Sequence, residues 1–163
     1  MLLTGDIFEH NRLNATILER TRAVLGAARL PVVMLPGNHD PLMPGSVWDR
    51  GALSSIDNVH VLGEDADLAS FAEFDLEIWG RAHEDYNDLN PLEGAPRRTA
   101  HRHIVAGHGH FAEARPPQGT PGPGWLFTPE DIDATDADYV ALGHWNRKVR
   151  VGDGDVPAWY SGS

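Results

Sequence analysis

Four short glycine-containing stretches gather the residues of this sequence that are able to do chemistry. They are Gly5-Asp6, Gly37-Asn38-His39-Asp40, Gly107-His108-Gly109-His110 and Gly143-His144. An Asp, an Asn and two His drawn from them form a mixed oxygen and nitrogen donor set that suits Mn, Fe or Zn. A cation held by such a set polarises a phosphoryl oxygen and makes hydroxide available from water near neutral pH. Asp6 is the member able to span two cations. His39, beside Asn38 on one turn, is placed to protonate a leaving alkoxide as a general acid. The chain has no Cys, so disulfides and thiolate ligands are excluded.

Each residue also has a plainer reading: Asp6 as a turn residue, Asn38 and His39 as a helix cap with a surface histidine, His108 or His144 as a hydrogen-bonded structural histidine. The plainer readings weaken when the four clusters are taken together, because each follows an apolar run. Glycine lets the backbone turn sharply at such points. Strands are expected at residues 30–35, at 58–63, at 74–80, from about 101 to 106 and at 138–143. Helices are expected over about 11–28, where Leu13, Ile17, Leu18, Val24, Leu25 and Ala28 recur at helical spacing, and over 46–55. Thr128-Pro129-Glu130-Asp131 carries helix-start chemistry. Residues 115–125 are dense in Pro and Gly and read as a loop, and 149–163 as two strands around a Gly/Asp turn. Strands alternating with helices predict an α/β layered fold in a single domain over 1–163. In such folds, ligands collect beyond the carboxyl ends of strands.

Further histidines compete for attention. His110 is a rival to His108. His83, in "WGRAHEDY", reads as a solvated loop residue, with a substrate contact as the alternative. The basic stretch 97–103 reads as a solvated lead-in to a strand. Of Arg147, Lys148 and Arg150, adjacent strand positions face opposite ways, so at most one of Arg147 and Lys148 points inward.

Composition sets outer bounds. The net charge is −11, with Lys148 the single lysine, which argues against broad charge-driven nucleic-acid binding by this chain. No apolar run approaches the roughly 20 residues of a membrane span. No basic region precedes an apolar stretch at the N-terminus, so the expected location is the cytoplasm.

The strings "LLTGDIFEHNR", "VVMLPGNHDPL" and "DYVALGHWN", with "GHG" between the last two, resemble the calcineurin-like metallophosphoesterase superfamily. The resemblance spans nearly the whole chain and is strongest to the SbcD-like DNA-repair exonuclease branch. It implies a layered α/β sandwich, a divalent metal (Mn favoured, Fe or Zn as alternatives), phosphoester substrates with DNA among them, and an ATPase partner subunit. By position it implies that Asp6 bridges two metals, that Asn38, His108 and His144 complete one site, and that His39 contacts phosphate and protonates the leaving group. The second metal would take an upstream "DxH" motif and the second His of "GHxH". Five residues precede Asp6, without that motif, and the second His is Asn146. One metal site is therefore complete and the other incomplete. A fragment lacking its first strand-loop-helix unit is the favoured expectation, with Asn146 as a weak metal or substrate contact. The resulting expectation is metal-dependent phosphoester hydrolysis, set against an inactive phosphoesterase-like scaffold or a metal-binding module.

Overall fold

The computed structural model describes residues 1–64, 66–117, 122 and 124–162. In its first half, β1 (Leu2–Thr4), α1 (Ala15–Gly26), β2 (Val32–Leu35), α2 (Val47–Gly51) and β3 (Val59–Val61) build a parallel sheet in the order β1-β2-β3. The second half adds β4 (Leu68–Phe71), β5 (Leu76–Gly80), β6 (Arg102–His108), β7 (His110–Phe111), β8 (Leu126–Phe127), α3 (Pro129–Asp133), β9 (Tyr139–Gly143), β10 (Val149–Val151) and β11 (Ala158–Tyr160). Six of these strands form a larger sheet ordered β10-β11-β9-β6-β5-β4. Its interior strands β5, β6, β9 and β11 run parallel, while β4 and β10 are antiparallel edges. The result is a mixed α/β sandwich.

Strand alternation decides the layers. Successive side chains of β2 point to opposite faces. Val32 and Met34 pack with Leu18 and Leu25 of α1 and with Trp48 of α2. Val33 and Leu35 instead meet Ile78 and Ala106 of the larger sheet. The outer face of that sheet, through Val105, Val140, Leu142 and Tyr160, packs under Phe127 and Ile132. Each such side chain buried contributes roughly 1.5–3 kcal/mol.

Local chemistry explains where the elements depart from the periodicity. The first helix begins at Ala15 because Asn14 caps it, its Oδ1 accepting from Ile17 N at 3.0 Å. Asn11 and Leu13 lie outside it, their carbonyls accepting from the Arg50 guanidinium at 2.6 and 2.9 Å. The expected helix over 46–55 breaks at Ala52, whose φ of 44° is left-handed, and resumes as a 3-10 turn over Leu53–Ser55. At α3, Thr128 and Asp131 form a capping box. Of the loop read at 115–125, residues 118–121 and 123 lie outside the described residues.

The stretch 97–103 is not simply a solvated lead-in. His103 is fully buried, its Nδ1 2.7 Å from Glu77 Oε1 on the neighbouring strand. Thr99 donates to the same carboxylate through its main-chain N–H at 2.9 Å and through its hydroxyl. Burial pushes the Glu77 carboxyl up, but the Thr99 bonds and His103 outweigh it, holding it below its ordinary 4.5. Among the described residues no helix is long and apolar enough to cross a membrane.

Candidate metal centre

Five parallel strands deliver the candidate residues to one rim. Gly5 and Asp6 follow β1, Asn38 and His39 follow β2, and His83 follows β5; His108 ends β6, and His144 follows β9. The two sheets meet at this rim because Gly5 and Gly143 lack side chains. A Cβ on Gly143 would lie 1.6 Å from the Thr4 carbonyl oxygen, and one on Gly5 would lie 2.0 Å from His108 Nδ1. The ligand loops are also held in uncommon backbone: Asp6 has φ 49° and His144 φ 108°. Such conformations cost on the order of 1–3 kcal/mol each and persist where surrounding contacts fix them.

His108 is the centre of the arrangement. Its ring is fully buried, and Nδ1 lies 2.8 Å from the Thr4 carbonyl, which can only accept. Nδ1 therefore carries the proton, and in the neutral ring Nε2 presents a lone pair. That Nε2 faces Asp6 Oδ2 at 3.1 Å and Asn38 Oδ1 at 2.9 Å, two more acceptors. One donor atom each from Asp6, His108 and His144 lies within 4.8 Å of the others. Acceptors gathered this closely need a proton on Nε2 or a cation among them, and the donor set of Asp6, Asn38, His108 and His144 fits a divalent cation. Burial alone would raise the Asp6 carboxyl, but a proton shared with His108 and the His39 N–H hold it below 3.8, and a cation entering the cluster would displace that proton. Burial, with His108 nearby, holds His144 below 6.5, which favours the neutral ring that a metal needs.

The surroundings fix the ligand loops. The Asp6 Oδ1 accepts from His39 N at 2.9 Å. Asp40, fully buried, ties the two loops together by accepting from Phe8 N at 3.0 Å and Gly37 N at 2.7 Å. Burial pushes its carboxyl up to about 6. The His39 ring is half-exposed, with Glu9 3.9 Å from its Nδ1. A cleft of about 360 Å³ opens beside Asp6, His108 and His144, and Asn146, itself exposed, lines it.

The other histidines divide. His110 lies beside the centre, its ring 6.3 Å from that of His144, with Nδ1 accepting from Trp145 Nε1 at 3.3 Å. The expectation for His83 needs correction. It is not a solvated loop residue: it is 0% exposed, with Nε2 2.8 Å from the His108 carbonyl. The loop that carries it is roofed by Trp125, whose ring lies 5.4 Å from His83 and 6.1 Å from His144. Burial lowers His83 from 6.5 to about 4. Sequence reasoning missed Asp40, Glu9 and Trp125. Asp40 sits inside the quoted "GNHD" and was within reach, but Trp125 lies in a Pro/Gly-rich stretch that offers no signal.

The family model for calcineurin-like phosphoesterases matches residues 1–147. The chain belongs to the calcineurin-like phosphoesterase family. This is a family of metal-dependent phosphoesterases, and its divalent metal chemistry agrees with the donor set of Asp6, His108 and His144. No curated protein matches the chain. Eight chains of solved structures do. One, a crystal structure, is similar over 90% of this chain at 18% identity with a TM-score of 0.57. At that identity the likeness shows the fold alone. The match covers 63% of that structure, so this family member spans less than two thirds of its length.

Proposed function

We propose that this chain hydrolyses phosphoesters, with phosphodiesters as the substrate class, using a divalent cation of which Mn is the favoured identity. The observation that carries the proposal is the convergence of three acceptor atoms, His108 Nε2, Asp6 Oδ2 and Asn38 Oδ1, beside His144 at one strand-end rim. A cation bound there supplies Lewis acidity toward a phosphoryl oxygen and lowers the pKa of water. The residues of the chain do the rest. Asp6 contributes negative charge, and its second oxygen fixes the His39 main chain. His39, half-exposed and next to Asp6 through its main chain, is free to meet substrate and to give a proton to the leaving oxygen. The buried walls around His108 keep its lone pair aimed into the site.

DNA as the particular diester, an ATPase partner subunit and a cytoplasmic location rest on the SbcD-like resemblance and on the sequence alone. The net charge of −11 opposes unspecific DNA binding by this chain. A second reading is favoured by one observation: the cleft position that the resemblance assigns to a second-metal histidine holds Asn146. In that reading the domain is an inactive scaffold or a one-metal binding module.

The test is hydrolysis of bis(p-nitrophenyl) phosphate and p-nitrophenyl phosphate at saturating Mn by the wild-type chain and Asn38→Ala. Turnover of the diester that disappears in Asn38→Ala supports the phosphoesterase reading. Metal bound without turnover of either substrate leaves the module, and no metal bound leaves the scaffold.

A further inference from the structure

His83 is fully buried, its ring set against those of His108 and Trp125. Its Nδ1 has no hydrogen-bond partner, and a buried lone pair left unpaired is costly. Nδ1 therefore gives no reason for a histidine here. The opposite ring nitrogen does: Nε2 lies 2.8 Å from the His108 main-chain carbonyl. A carbonyl only accepts, so Nε2 bears the proton and the ring is a fixed donor.

The main chain of His83 makes a second set of links. Its N–H donates to the Pro36 carbonyl at 3.3 Å, and its carbonyl accepts from Leu42 N at 2.6 Å. Pro36 and Leu42 bracket the turn that carries Asn38, His39 and Asp40. One residue thus holds both ends of the Asn38 turn through its backbone and the His108 backbone through its ring. Its ring also meets the His108 ring edge to face, with centroids 5.6 Å apart.

We propose that His83 is a positioning residue for the metal centre, setting the separation of Asn38 and His108 by donating Nε2–H to the His108 carbonyl while its backbone clasps the Asn38 turn. This rests on the metal-centre reading above. His83 touches neither substrate nor metal; it acts through His108. Partners one shell behind metal ligands orient them in this way.

The experiment is Mn titration of the full chain as wild type, His83→Leu and His83→Gln, with melting of each in chelator. The Gln amide N–H reaches the place of the imidazole Nε2–H, whereas Leu keeps only the bulk. The expected result is about a tenfold or greater loss of Mn affinity in His83→Leu, with His83→Gln within about threefold of wild type. Equal affinity in His83→Leu and wild type overturns the proposal, as does His83→Gln as weak as His83→Leu. A second measurement does not depend on any variant folding. Long-range nitrogen–proton correlation of the imidazoles in the metal-free wild type reads the tautomers directly. His83 protonated at Nε2 supports the proposal, and His83 protonated at Nδ1 overturns it. A wild-type chain that binds no Mn removes the metal-centre reading and this proposal together. A wild-type chain that binds Mn, matched by His83→Leu, removes this proposal only.

Discussion

His108 Nδ1 and the Thr4 carbonyl oxygen lie 2.8 Å apart, and this bond joins the two sheets of the sandwich at the site. Thr4 ends the edge strand of the smaller sheet, and His108 ends a central strand of the larger one. The same bond that helps dock the sheets also fixes which nitrogen of His108 faces Asp6 and Asn38. Fold and ligand geometry are therefore coupled at this point, and the predictions below separate their contributions.

Gly143→Ala places a methyl group 1.6 Å from the Thr4 oxygen and 2.8 Å from His108 Nδ1, too close for either to stay. Backbone has to move, so a loss of about 3 kcal/mol or more is expected, at the upper end of overpacking effects. Urea unfolding of the metal-free protein checks it. Mn affinity is expected to fall as well, because the Thr4–His108 bond is displaced.

Asn38→Ala removes one acceptor from the cluster while leaving the fold nearly intact. Elemental analysis of desalted protein is expected to find about one Mn per wild-type chain and far less in the variant. Two metals per wild-type chain would instead mean that Asn146 and further groups build a second site.

His39→Gln is expected to separate binding from turnover. The general-acid role predicts a fall in kcat of roughly 10²–10⁴ with Mn affinity little changed, since the ring lies outside the acceptor cluster and only the main-chain N–H meets Asp6. Its partner Glu9 is 85% exposed and 3.9 Å away, so Glu9→Gln should change kcat far less.

Buried neutral His83 makes stability depend on pH. Its value falls from 6.5 to about 4 on folding. Between those values the unfolded chain binds more protons at this residue than the folded one, so its contribution rises with pH and is lost as pH falls from about 6.5 to 4. The difference is worth on the order of 3 kcal/mol. Asp40 acts in the opposite sense, being raised from 3.8 to about 6, so its contribution falls as pH rises through that window. The His83 and Asp40 effects oppose each other in the wild type. In His83→Gln the rising contribution of His83 is gone, and urea unfolding from pH 4.5 to 6.5 should show stability rising less, or falling more, with pH than in wild type. An unchanged slope would contradict the burial of a neutral His83.

Glu77→Ala tests the other end of the strands. It leaves buried His103 and Thr99 without their carboxylate partner, for an expected loss of about 3 kcal/mol. His103 and His108 are both on β6, five residues apart in sequence and so roughly 16 Å along the strand. Mn affinity should therefore match wild type in any variant that remains folded.

Much of this architecture was legible in the chain. The buried run around Val32–Leu35 and the helical spacing of Leu18 and Leu25 carry their own periodicity. The polar clusters announce strand ends by following apolar runs, because α/β sheets expose those ends as a rim. Less visible were β4 and the short pair β7 and β8, whose two to four residues are too few for a period to register. The helix over 46–55 was read too long because its break lies in one left-handed backbone angle at Ala52, and residue type does not announce such an angle there.

The sequence alone determined the family, the donor types available and the absence of thiolates, since these depend on residue identity and order. It could not say that His83 is buried while His39 faces solvent. Both are polar residues a few positions beyond a strand, and burial depends on what packs over a loop, here Trp125 from a distant segment. Nor could it give the tautomer of His108, which the Thr4 carbonyl sets across 104 residues of chain. Local sequence encodes period, turn and charge. The protonation and aim of each ligand come from groups that meet only when the two sheets close on each other.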